Sequence, residues 1–108
     1  MTMNFVNDHC LSLIREGRID LAYRILKRAE GFCVIGRYST SVKYRVIVLN
    51  HLGCCMRRFG KNKLALGYLA SAFKISKSTN SPDLLAISCL NLCAVYRQLE
   101  DHKKVSLV

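Results

Sequence analysis

Six cysteines and three histidines carry the most versatile chemistry in this chain of 108 residues. Cys54 and Cys55 are adjacent and follow His51, while Cys89 and Cys93 lie four apart inside an apolar run. On a helix that interval places both thiols on one face, where they could give two ligands to a metal; Cys54, Cys55 or His51 could join from a neighbouring helix. A dedicated zinc site usually shows tighter paired spacing than this, such as two cysteines separated by two residues. A cysteine nucleophile needs a partly exposed thiolate beside a base, and His51 shares a helix face with Cys54 or Cys55 only approximately. No glycine-rich phosphate loop, paired carboxylates or nucleophile elbow is present. The sequence therefore predicts packing cysteines, no metal, no cofactor and no catalytic residues. Such a chain is not an enzyme.

The elements that position these residues read as helices. Val6, Cys10, Leu13 and Ile14 fall at helical spacing over about residues 3–16, before Glu16-Gly17-Arg18 breaks the pattern. Asp20 opens a second helix with Leu21, Ala22, Ile25, Leu26 and Ala29 inward, and Gly36-Arg37-Tyr38 reads as its turn. Ser39 or Thr40 can cap a third helix that carries Val46, Leu49, Leu52, Gly53 and Met56 and runs to about Phe59, with Gly60 as terminator. A fourth spans about 62–78, with Leu64, Ala65, Tyr68, Leu69, Ala72 and Ile75 inward. Ser81-Pro82-Asp83 is the clearest start signal: cap, first-turn proline, then an acid. The fifth helix carries Leu85, Cys89, Leu92, Cys93, Tyr96 and Leu99 inward; Glu100-Asp101-His102 reads as a turn and Lys103 onward as the start of a sixth. Strand-type alternation between turn pairs is missing, so the fold class is all-α.

Length allows one domain, and 51% apolar content argues against disorder. Seventeen Lys and Arg against seven Asp and Glu leave a net charge of +10, which favours acidic partners. The cations are dispersed, with Arg57-Arg58, Lys61 and Lys63 the densest group and Arg24, Lys27 and Arg28 the next. The longest uncharged stretch, Leu84 to Tyr96, has 13 residues, whereas a membrane span needs about 20. Neither a signal peptide nor a cysteine-punctuated loop pattern is seen, so free thiols in a reducing, cytoplasmic setting are the expectation.

A repeat organises these helices. Gly17, Ala22, Leu26 and Ala29 recur as Gly60, Ala65, Leu69 and Ala72, with the same internal spacing of five, four and three. Ala22 and Ala65 lie 43 apart, and a third, altered copy begins at Glu100 and Val105, 40 beyond Ala65. A period of this size predicts a stacked helical repeat: 1–36 and 39–79 as complete units and 81–108 as an incomplete third. The last helix would then present apolar surface, so the C-terminal end is expected to pack on another subunit or on further repeats.

These residues resemble the tetratricopeptide repeat family, in which small residues sit where two antiparallel helices cross. Cys10, Gly53 and Cys93 match the small places of the first helices, and Ala22, Ala65 and the bulkier Val105 those of the second. Leu13, Met56 and Tyr96 match the large first-helix place, and the long period is similar to that of kinesin light chains and Pins-type spindle adaptors. The family's terminating proline is absent from both complete repeats. The resemblance implies an α-solenoid of about two and a half repeats that acts as a protein-interaction scaffold. Its concave face would carry Asn7, Leu11 and Ile14, then Asn50, Cys54, Arg57 and Arg58, then Leu90, Ala94 and Arg97. Asn50 could pair with a peptide backbone or be buried and satisfied within the chain, and Arg57 and Arg97, at equivalent places, could form a cationic ladder for acidic side chains or stand as solvated helix-end arginines. The family's carboxylate clamp is disfavoured, because the pairs Asn7/Leu11, Asn50/Cys54 and Leu90/Ala94 supply no cation.

The alternative is RNA binding by a basic helical repeat. The charge supports it, but two and a half repeats would read two or three bases and no aromatic series recurs for stacking. Nucleic acid is the weaker expectation. The stronger one is an adaptor subunit in a larger assembly, placed in the cytoskeleton or cilium by analogy with the long-repeat relatives.

Overall fold

The computed structural model describes the backbone of residues 3–35 and 39–106 and the side chains of 8–31 and 42–100. Five helices follow in order: α1 (Met3–Arg15), α2 (Ile19–Ile35), α3 (Ser39–Arg58), α4 (Asn62–Ser76) and α5 (Pro82–Ser106). Among the described residues no strand occurs, so the fold is all-α as predicted. Each helix packs on the next, and α3 also meets both α1 and α5.

Two glycines set the tight turns. Gly17 and Gly60 have φ of +82° and +79°, the left-handed region that a Cβ disfavours. Each closes a Schellman motif. After α1, the Gly17 amide donates to the Ile14 carbonyl at 3.1 Å and the Arg18 amide to Leu13 at 2.8 Å. After α3, the Gly60 amide donates to Arg57 at 3.0 Å and the Lys61 amide to Met56 at 2.9 Å. The chain thus folds α1 back on α2, and α3 back on α4, through links of three residues each.

The α4–α5 link has no glycine and closes differently. The Ser78 and Thr79 hydroxyls donate to the Ile75 and Ser76 carbonyls, both at 2.7 Å, so α4 ends at Ser76, two residues before the predicted Ser78. Ser81 then caps α5 as predicted, its hydroxyl accepting from the Leu84 amide at 3.3 Å.

The turn predicted at Glu100-Asp101-His102 does not form, and with it the sixth helix disappears: α5 continues to Ser106. The reason lies at the repeat position. Glu100 stands where Gly17 and Gly60 adopt positive φ, and a side chain there resists the left-handed reversal. The turn predicted at 36–38 lies outside the described residues.

The core joins all five helices. Cys10, Leu13 and Ile14 of α1 meet Ala22, Leu26 and Ala29 of α2, Leu52, Cys55 and Met56 of α3, Ala65 and Leu69 of α4, and Val95 of α5. A smaller cluster of Val46, Leu49 and Ala72 lies beside it. Four predicted inward residues are turned out: Leu64 on α4, and Cys89, Cys93 and Tyr96 on α5. On α5 the buried side is instead Ser88 and Val95, with Leu84, Leu92 and Leu99 partly covered.

Gly53 marks the closest approach. A Cβ built there would fall on the buried Leu69 side chain of α4, whereas one on Gly67 would meet open space. Gly53→Ala is therefore expected to cost about 1–3 kcal/mol through overpacking, even against its gain in helix propensity. Gly67→Ala should stabilise by about 0.5–1 kcal/mol. Urea unfolding of both variants checks this, with opposite signs as the expected outcome.

Candidate functional site

The predicted concave-face residues all lie on the odd-numbered helices, and α3 packs against both α1 and α5. Asn7 lies outside the described side chains. Leu11 is half-buried, and Ile14 is taken into the core at 7% exposure. On α3, Cys54 and Arg57 are half-buried and Arg58 is exposed. On α5, Ala94 is half-buried, Arg97 is exposed, and Leu90 is open at 70%.

Asn50 is the exception on this face, being 3% exposed. Its Nδ2 donates to Ser88 Oγ at 2.9 Å, and its Oδ1 accepts from Asn91 Nδ2 at 3.1 Å. The amide is thus engaged by α5, and it fixes how α5 lies on α3. Of the two expectations for Asn50, the structure shows the buried amide satisfied within the chain. The usable signal was Ser88 and Asn91, two polar residues three apart at the middle of an apolar helix.

The five cysteines whose side chains are described divide into two groups. Cys10 and Cys55 are fully buried as predicted. Cys10 donates a long Sγ contact to the Ala22 carbonyl at 4.0 Å, and burial raises its pKa. Burial, reinforced by Cys54 and Cys10, pushes the Cys55 thiol up to about 11. Burial also raises Cys54, against the pull of Arg57 and Arg58. These three are therefore thiols at neutral pH, poor as nucleophiles or metal ligands. Cys89 and Cys93 are exposed, contrary to the prediction of packing cysteines. The helix that would cover them is not among the described elements. Among the described residues no three of His, Cys, Asp and Glu converge to hold a metal, and no helix is long and apolar enough to cross a membrane.

His51 sits beside this face with its Nδ1 buried and unpartnered. Burial lowers its pKa, so the folded protein favours the neutral ring.

Two outcomes follow from this geometry. Asn50→Ala leaves Ser88 and Asn91 without their shared partner and is expected to cost about 1–3 kcal/mol. A double-mutant cycle with Ser88→Ala should return a favourable coupling of about 1 kcal/mol. For His51, the unfolded chain binds a proton more readily than the folded one. Its contribution is fully present above about pH 6.5 and is lost as pH falls from there toward the depressed folded pKa. Acidification below about pH 6.5 should therefore lower the melting temperature of the wild type more than that of His51→Gln.

Compared with protein-family models, curated proteins and solved structures, the chain has no significant match in any of the three.

Proposed function

We propose that this protein is a non-catalytic interaction scaffold, an α-solenoid of paired helices in the manner of tetratricopeptide repeats. In this reading the side shared by α1, α3 and α5 holds an acidic or amphipathic segment of a partner protein. What supports it is that α3 packs against both α1 and α5, the three helices that carry these residues. In this reading half-buried Leu11, Cys54 and Ala94 supply an apolar floor, exposed Leu90 extends it, and Arg57, Arg58 and Arg97 line the margin. An apolar floor supplies affinity by burial, and marginal arginines favour carboxylates with bidentate geometry. Asn50 serves as a strut beneath the floor. The net charge of +10 adds a long-range preference for acidic partners. Membership of a cytoskeletal or ciliary assembly is the setting that the family resemblance suggests.

Affinity capture followed by mass spectrometry tests this reading. Wild-type protein is expected to retain acidic-surfaced proteins that the Arg57→Glu/Arg97→Glu variant loses and that an Arg24→Glu/Arg28→Glu control keeps. Unchanged capture by the Arg57/Arg97 variant would overturn it. Steeply salt-dependent retention of RNA in place of protein would bring the nucleic-acid reading forward.

A further inference from the structure

The outer face of α5 carries three of the six exposed large apolar side chains among the described residues, Ile87, Leu90 and Tyr96. Ile87 is 49% and Leu90 70% exposed, and Ala86 and Cys93 are exposed beside them. At the equivalent places of the other odd helices, Cys10 is covered by α2 and Gly53 by Leu69 of α4. Cys93 has no such cover. Leu13 and Met56 are each 4% exposed, while their counterpart Tyr96 is 55% exposed. The face is therefore built to the pattern of a covered one.

The charges on this face say what covers it. Asp83 and Arg97 are both exposed and stand seven residues before and after Leu90. At 1.5 Å per residue each lies about 10 Å from Leu90 along the axis, and seven residues return almost to the same side of the helix. Neither has an ion-pair partner among the described residues. An antiparallel copy of α5 centred on Leu90 would bring Asp83 of each chain to Arg97 of the other, twice over. It would also set Leu90 against Leu90, with Ile87 and Cys93 on the two flanks of that contact and Ala86 small enough for close approach. A parallel copy would instead oppose like charges. Self-complementarity about a two-fold axis is the requirement for an isologous dimer, and this stripe meets it.

We propose that the protein self-associates through α5, antiparallel about Leu90, with reciprocal Asp83–Arg97 pairs. This inference does not rest on the partner-binding reading. If both hold, they compete, because the dimer covers Leu90 and Arg97 at the end of the partner face. The contact is one helix wide, so the dimer is expected to exchange in the micromolar range.

Sedimentation velocity of the full chain from low to high micromolar concentration should show a monomer–dimer equilibrium. Asp83→Arg and Arg97→Asp should each weaken self-association by about tenfold, because each puts like charges at both ends of the stripe. Mixed together, the two variants should form a heterodimer, since one then carries two cations on this face and the other two anions. Both positions are exposed, and circular dichroism of each variant verifies that it is folded. A chain that stays monomeric throughout would overturn the proposal. So would a dimer indifferent to either substitution, or variants that fail to associate when mixed.

Discussion

The close crossing of α3 and α4 at Gly53 is the constraint on which the rest of the structure depends. α3 is the helix that touches all four others, so its placement sets theirs. Because residue 53 has no Cβ, Leu69 enters the space that a side chain would fill, and α4 settles against α3 at short range. Leu69 is 1% exposed, and Ala65 and Ala72, one turn to either side, are both fully buried. Small residues at the crossing with a leucine between them let α4 lie close along its length. Cys10 and Ala22 repeat the device between α1 and α2, with a thiol in place of the glycine.

Apolar contact of this kind fixes distance better than register, and α5 is held by something more directional. Asn50 of α3 uses both ends of its amide, donating to Ser88 and accepting from Asn91, two residues three apart on α5. Sliding α5 by one residue would break both bonds and leave three polar groups facing an apolar layer. A buried unpaired amide costs more than the net worth of the bond it lost, so the network penalises wrong registers more than it rewards the right one. Position 50 thus joins the first two helix pairs to α5, while position 53 joins α3 to α4 within one pair.

The residues that were legible in the sequence are those whose role depends on their own identity. Gly17, Gly60 and the Ser81-Pro82 cap marked their boundaries because left-handed φ and side-chain capping are local properties. The repeated Ala-Leu-Ala spacing marked the buried stripes of α2 and α4 for the same reason. What was not legible depends on whether a neighbour is present. Leu64, Cys89, Cys93 and Tyr96 have the types and spacing of core residues, yet periodicity records only which side of a helix is apolar, not what meets it. The absent turn at Glu100 shows the limit of a repeat template: the spacing persists there, but the glycine that made the earlier reversals possible does not. On the candidate face, Asn50 was picked out as an unusual amide, and its partners Ser88 and Asn91 lie some forty residues away, beyond any local rule.

Charge and shape play different parts on the face shared by the odd helices. With a net charge of +10 the whole molecule attracts anions, but salt screens such a field within about 8–10 Å. A dispersed field of this kind speeds encounter more than it selects among partners. Selection falls to the places where cation and apolar surface coincide. Arg24 and Arg28 on α2 are exposed but add only to the general field, while Lys27 is turned to Glu30 at 2.8 Å and toward the Tyr68 ring. Arg57, Arg58 and Arg97 are different because Cys54, Ala94 and Leu90 accompany them on the same helices. Among the described residues Leu90 is the most exposed of the large apolar side chains, and it stands seven residues before Arg97. On the proposed scaffold reading, an acidic segment that covered Leu90 would therefore come within reach of Arg97, with less solvent left to screen the pair.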